Sequence, residues 1–343
     1  MGPTHNLARI LAAAFTLCVL TTAALAADPG FPFPGNGISD QKPGSILIYN
    51  IYTSSPTNPV AQNSRISITN TDDERAITVH LFFVDGDSCS AADTYLCLSK
   101  SQTVSVMASE VDPGVSGYVI GMAVDANGNP AAFDRLIGSV SVRFASGHTA
   151  SLGAEAVASP AGAIRTFPVP GADGSAAVIL FDGVSLDRLP RVLALDNVQS
   201  RLDGNDTMLI VNRIGGDLRT SGAPIDKLFG ILFDEVENPY SFSIFNLSCQ
   251  VRRSLNNDFP RTAPRFNSVL GPGTSGWLKF WASVSAVDPV VGQTNRALTG
   301  AAINYNASAD LSASLFSQGH NLHKLTVGDP TALIVPVFAP SCR

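Results

Sequence analysis

Asp112-Pro-Gly-Val-Ser-Gly-Tyr118 has a near copy in the second half of the chain, Gly271-Pro-Gly-Thr-Ser-Gly-Trp277. In each copy Pro-Gly supplies a turn and the residues after the aromatic are largely apolar, so the stretch reads as a turn that launches a strand. Each is followed downstream by Leu-x-Gly, Leu136-Ile-Gly138 and then Leu298-Thr-Gly300, and each is preceded by a cysteine, Cys97 and Cys249. Self-similarity on this scale predicts two related β-domains in tandem.

Working outward, the flanking sequence is rich in short strands. Ser45–Tyr52 is a mostly apolar run, and Arg65-Ile-Ser-Ile-Thr69 alternates with the period of a half-buried strand. Ile77, Val79, Leu81 and Phe83 share one face of a strand that stops at Asp85-Gly86-Asp87. Further strands are expected at Thr103–Met107, Gly117–Asp125, Ser139–Phe144, Ala176–Phe181, Val192–Leu195, Thr207–Asn212 and Tyr240–Leu247. Asp226–Phe233 reads as a strand or one helical turn. The closing run Ala332–Phe338 reads as an edge strand because it contains Pro336. With no convincing amphipathic helix, the expected fold is all-β, two tandem immunoglobulin-like β-sandwich domains, a barrel being the alternative. The first spans residues 45–158 and the second 175–343, joined by a Pro/Gly-rich linker at 159–174.

The N-terminus sets the expected compartment. His5 and Arg9 precede an uncharged apolar run that ends in Ala24-Leu-Ala26, the pattern of a cleaved secretory signal over 1–26. A Pro/Gly-rich leader, 27–44, follows. No second apolar run is long enough to span a bilayer, so an exported chain (secreted, at the cell surface or periplasmic) without membrane insertion is expected. The formal net charge is −6 with only 15% charged residues, which argues against nucleic acid and anionic membranes as partners. Four cysteines follow the signal, and three pairings are possible in an exported chain. Cys89 and Cys97 bracket a short polar stretch, so the expected disulfides are Cys89–Cys97 and Cys249–Cys342.

Asn63-Ser-Arg-Ile-Ser-Ile-Thr-Asn70, Val79-His-Leu-Phe-Phe-Val-Asp85, Asp112-Pro-Gly114, Leu186-Asp-Arg-Leu-Pro-Arg-Val-Leu-Ala194 and Asp203-Gly-Asn-Asp206 resemble a group of exported bacterial proteins of uncharacterised activity. The resemblance covers most of the chain after the signal. It implies bacterial export and a β-rich fold, and brings no activity with it.

Candidate sites are few. In Trp277-Leu-Lys-Phe-Trp281 a strand would place Leu278, Phe280, Ala282 and Val284 on a core face and Trp277, Lys279 and Trp281 on the other. Two indoles flanking a lysine that reaches water suit stacking on sugar rings. Arg252, Arg253, Arg261 and Arg265 cluster in an acidic chain and suit carboxylates or acidic glycan, or else pair with Asp234, Glu235 and Glu237. Asp203-Gly-Asn-Asp206 and Asp125-Ala-Asn-Gly-Asn129 offer oxygen ligands for calcium, but Asx turns have the same composition, and no metal is assigned. His320 and His323 would face one way on a helical turn and hold a metal given a third ligand, whereas a polar loop is the plainer account. There is no Gly-x-Ser-x-Gly elbow and no His-Glu-x-x-His.

The expectation is an exported, non-catalytic binding or surface-associated protein without a cofactor, whose partner is a glycan or another surface protein. A structural component that assembles through strand edges, and a glycoside or ester hydrolase with dispersed acidic residues, are the other two readings.

Overall fold

Alternating and continuous apolar runs broken by Gly, Pro and Asx turns leave this chain little choice but strands. A computed structural model describes residues 31–32, 37–245, 248–283, 297–306 and 318–341. The expected signal, residues 27–30 and 33–36 of the leader, Val284 and Cys342 lie outside them. Two four-residue helices, Ala108–Val111 and Phe266–Val269, are the α-structure among the described residues, and none of their helices is long and apolar enough to cross a membrane.

Sheet 1 has the order β10 (Glu155–Val157), β2 (Ile46–Thr53), β7 (Ser116–Val124), β4 (Ile77–Asp85), β5 (Ala91–Leu98). Sheet 2 is β6 (Thr103–Met107), β3 (Asn63–Asn70), β8 (Leu136–Arg143), β9 (Thr149–Gly153). Sheet 3 is β1 (Phe31–Pro32), β23 (His323–Val327), β13 (Pro190–Gln199), β20 (Ser275–Ala282), β17 (Lys227–Asp234), β18 (Pro239–Phe245). Sheet 4 is β19 (Gln250–Ser254), β14 (Asn205–Arg213), β21 (Leu298–Asn306), β22 (Gln318–Asn321). Sheet 5 is β11 (Thr166–Pro168), β12 (Ala176–Phe181), β24 (Thr331–Pro336), β15 (Gly216–Asp217), β16 (Ser221–Gly222).

The result is a five-bladed, propeller-like array of small sheets and not two tandem immunoglobulin-like sandwiches. The cores overturn the tandem reading, because they are shared. Leu47, Tyr49, Ile68, Leu81 and Val140 of sheets 1 and 2 pack in one cluster with Met208, Ile210, Ala301 and Ile303 of sheet 4. The other face of sheet 1, with Ile48, Phe82 and Ile120, packs on Ile179, Phe181, Leu333 and Val335 of sheet 5. Sheets 3 and 4 enclose a third cluster around Leu195, Val211, Leu278 and Phe280. A strand buried on both faces, such as β2 or β4, belongs to a layered interior, and its continuous apolar run is the sequence record of that burial.

The disulfide pairing is corrected in the same sense. Cys89 bonds Cys249, 160 residues away, so neither Cys89–Cys97 nor Cys249–Cys342 forms, and the bridge ties the two halves together. Cys97 is also disulfide-bonded. β24 is no edge strand: β12 and β15 flank it, and Pro336 is tolerated because it ends the strand beyond the two residues that pair with β15. Thr166–Pro168, within the expected linker, adds a strand to β12.

The repeated turn motif has a physical content. Gly114 and Gly273 adopt φ of 87° and 74°, the left-handed turn conformation that follows proline. Gly117 and Gly276 sit so close to the carbonyls of Val84 and Phe233 on the neighbouring strand that a side chain there would collide. The aromatic that follows faces a bulge in each case. β2 pairs Tyr49 with Val119 and Tyr52 with Gly117, leaving Asn50 and Ile51 opposite Tyr118. β13 pairs Leu195 with Leu278 and Val198 with Gly276, leaving Asp196 and Asn197 opposite Trp277.

The first bulge feeds a chain of buried amides through the interior. Gln250 donates to Asn212 Oδ1 at 2.7 Å, Asn212 to the Asn50 carbonyl at 2.9 Å, and Asn50 to Asn321 Oδ1 at 2.9 Å. Asn321 in turn donates to Asp40 Oδ2 at 3.0 Å and to the Gly153 carbonyl at 2.9 Å.

Candidate functional site

The second bulge builds the site. The extra residue keeps Leu193, Leu195 and Val198 all in the core and so leaves Asp196 and Asn197 outside it. Asn197 takes the left-handed conformation, φ 47°, which asparagine accepts more readily than most side chains. Across from it the chain passes from sheet 4 to sheet 3 between β22 and β23. Leu322 marks the crossing, buried in the core with its N–H donated to the Gly300 carbonyl at 2.9 Å. His320 and His323, on either side of that anchor, both face Asp196: their Nε2 atoms lie 3.3 and 3.2 Å from the same Oδ1. The pair thus lies on two strands and not on a helical turn.

Around this trio lies a cleft of about 360 Å³ lined by Asn197, Gln199, Thr207, Asn304, Gln318 and Asn321. A second lobe of about 630 Å³, sharing His320, Asn321 and His323, reaches Asp40, Gly153 and Lys324. Asn197 and Gln199 also line a third lobe that runs to Asp203, Asn205 and Asn306. The walls are of two kinds. Asn205, Asn304 and Thr207 are held by one another: Thr207 donates to Asn304 Oδ1 at 3.0 Å and Asn304 to Asn205 Oδ1 at 3.1 Å. The side-chain amides of Asn197, Gln199 and Gln318 make no hydrogen bond among the described residues.

Burial lowers the His320 pKa below the ordinary imidazole value, outweighing the pull of Asp196 in the other direction. The ring therefore stays neutral near pH 7 and offers one donor and one acceptor. Beneath the second lobe, Glu155 is buried and paired with Lys324 Nζ at 2.6 Å, its pKa pushed up by burial against the lysine. Among the described residues no group of three or more His, Cys, Asp or Glu side chains is arranged to hold a metal. The carboxylates of the two loops weighed for calcium already have protein partners. Asp125 Oδ1 accepts from the N–H groups of Asn127 and Asn129, Asp203 from Gly273, and Asp206 pairs with Arg201.

The residues singled out in the sequence are placed unequally. Leu278, Phe280 and Ala282 fill the core. Trp277 is 37% exposed and stacks on Phe233 at 4.5 Å with the rings nearly parallel, beside the Asp196–Asn197 bulge. Trp281 is 6% exposed, packed against Phe229, so only one indole presents an open face. Lys279 is half-buried between them. The four arginines do not converge. Arg252 and Arg253 point to opposite faces of β19, Arg252 over Phe144 and toward Asp85 and Asp87, Arg253 over Phe259. Arg265 bonds the Asn257 carbonyl and Asp258, and Arg261 is exposed on the loop between. Asp234, proposed as their partner, instead accepts from Asn238 and Tyr240. Asp196, Asn197, Gln199 and Gln318 were not singled out. The signal for the first two was a polar Asp-Asn pair in the middle of the apolar run Val192–Val198, whereas Gln199 and Gln318 carried none.

No family model matches the chain, and no curated protein matches it. Among solved structures the chain is similar, at a TM-score of 0.14, to a β-glucuronidase of Ruminococcus gnavus, with 8% identity over 91% of this chain and 39% of that one. At the same TM-score it is similar to an apo lectin of Pleurotus ostreatus, with 10% identity over 90% of this chain and 80% of that one. The chain therefore spans less than half the length of the glucuronidase. A TM-score so low gives neither likeness weight for the fold or the site.

Proposed function

We propose that this is an exported carbohydrate-binding protein that holds an oligosaccharide in the groove around Asp196, His320 and His323 without turning it over. The observation that carries the reading is the set of unbonded amides, Asn197, Gln199 and Gln318, on the rim of a cleft already lined by bonded ones. A planar amide offers adjacent donor and acceptor groups, which match the vicinal hydroxyls of a sugar, and a carboxylate flanked by imidazoles adds acceptors and donors of fixed direction. A cleft of about 360 Å³ that opens into further lobes has room for more than one ring. Trp277, stacked on Phe233 beside the bulge, supplies an apolar face for the flat side of a sugar. Export is supported by the signal-like segment at residues 1–26.

The test is a glycan array followed by calorimetry with the full chain and with Gln199→Ala and Gln318→Ala. Each amide loss is expected to weaken binding about tenfold, the cost of one or two hydrogen bonds left without a partner. Absence of any glycan ligand, or unchanged binding in both variants, would overturn the reading.

A further inference from the structure

The groove does not end at Gln318. Gln318 and Gly319 also border a cleft of about 650 Å³ on the outer face of sheet 2, lined by Asn63, Arg65, Met107, Ser141, Arg143 and Ser151 among others, with no acidic residue in its walls. The strand register brings the two arginines together. Arg143 pairs with Asn63 and Ser141 with Arg65, so Arg65 and Arg143 are diagonal neighbours on one face of adjacent strands. Both are exposed. Arg143 touches only a carbonyl, that of Val60 at 3.3 Å, and Arg65 makes no hydrogen bond or ion pair among the described residues. Three other arginines pair tightly with carboxylates, Arg75 with Asp72, Arg201 with Asp206 and Arg219 with Asp217, each within 2.7 Å. The register thus keeps two guanidinium groups side by side in a cleft whose walls carry no carboxylate.

Resting on the glycan reading of the groove, we propose that this cleft is an anion subsite and that the ligand is an acidic oligosaccharide. A carboxylate or sulfate group on a residue of the glycan lies between Arg65 and Arg143, while neighbouring rings occupy the amide-lined lobes. The guanidinium fork matches either anion through paired N–H donors, and Ser141 adds a hydroxyl donor. A polyanion such as nucleic acid fits less well, because two arginines on a chain of net charge −6 cannot offset long-range repulsion.

The experiment compares uronate-containing, sulfated and neutral oligosaccharides of equal length by calorimetry, on the full chain and on the double variant Arg65→Gln/Arg143→Gln. The wild type is expected to prefer an acidic ligand over the neutral one by about tenfold or more, a preference that weakens with salt. The double variant should lose that preference and keep neutral binding. Comparison of the uronate and sulfated ligands identifies the anion. Equal affinity for acidic and neutral ligands, or a preference retained in the double variant, overturns the subsite and leaves the groove reading standing. No binding of any oligosaccharide overturns both. Because both side chains are exposed, unchanged urea unfolding of the variant confirms that a loss is local.

Discussion

Removing the Cys89–Cys249 bridge is the sharpest test of how the chain is held together. The bond closes a loop with a sequence separation of 160 residues, for which the chain-entropy relation gives a loss of about 17 cal/mol/K, or roughly 5 kcal/mol at room temperature. Alanine is the right replacement at both positions, since Cys89 and Cys249 are 6% and 0% exposed and a serine hydroxyl there would lack a partner. Loss of the sulfur atoms from the cluster around Tyr118, Ile214 and Val84 adds a packing cost of about 1 kcal/mol. With an m value near 3 kcal/mol/M, the double alanine variant should shift the urea midpoint down by roughly 2 M. Tryptophan fluorescence reports on sheet 3, which holds Trp277 and Trp281, and far-ultraviolet circular dichroism reports on all five sheets. Because the cores are shared, both probes should move together in the wild type and in the variant. A loss below about 1 kcal/mol, or two separated transitions in the wild type, would refute the argument that the halves fold as one unit.

Three further outcomes follow from particular side chains. Lys324→Met leaves Glu155 buried and unpaired, so stability should fall by about 3–5 kcal/mol at neutral pH. That loss should shrink as pH drops and the carboxyl protonates, and denaturation at pH 5 and 7.5 checks the direction. Trp281→Ala should cost about 3–5 kcal/mol of stability, as buried tryptophans do, whereas Trp277→Ala should leave folding nearly unchanged and weaken glycan binding about 2- to 10-fold. Burial holds the folded-state pKa of His320 below the ordinary 6.5. The unfolded chain then binds the proton first, so this contribution is full above about pH 6.5 and is lost as pH falls through the folded-state value. His320→Gln should flatten the acid side of the stability curve, as read from urea midpoints between pH 5 and 7.5.

Much of the strand content was legible, because it rests on local pattern. Thr103–Met107 and Ala176–Phe181 match β6 and β12, and the strand starting at Ile77 ends at Asp85, the first residue of the expected turn. What was not legible is how strands are shared among sheets. The turn motif marks a strand start in each half, and both copies use their glycines alike. Yet local likeness says nothing about Met208 or Ile303 packing on Leu47, contacts that arise only when the chain returns from far away. The same holds for the bridge from Cys89 to Cys249, where the nearer cysteine was the simpler guess. For the site, His320 and His323 were visible as a pair, but Asp196 reaches them through a one-residue bulge that an alternating pattern does not reveal. Arg65 and Arg143 looked unrelated until the register of β3 on β8 set them side by side.

The line of interior amides from Gln250 to Asp40 bears on how a ligand would be received. The bonds from Asn212 to Asn50 and from Asn50 to Asn321 tie sheet 4 to sheet 1, and that from Asn321 to Gly153 ties it to sheet 2, so any hinge between the halves would leave several polar groups without partners, at about 1–3 kcal/mol apiece. The proposed groove would thus be set before a ligand arrives. It should behave as a rigid trough, with association governed by encounter and fit and no closing step to tax affinity.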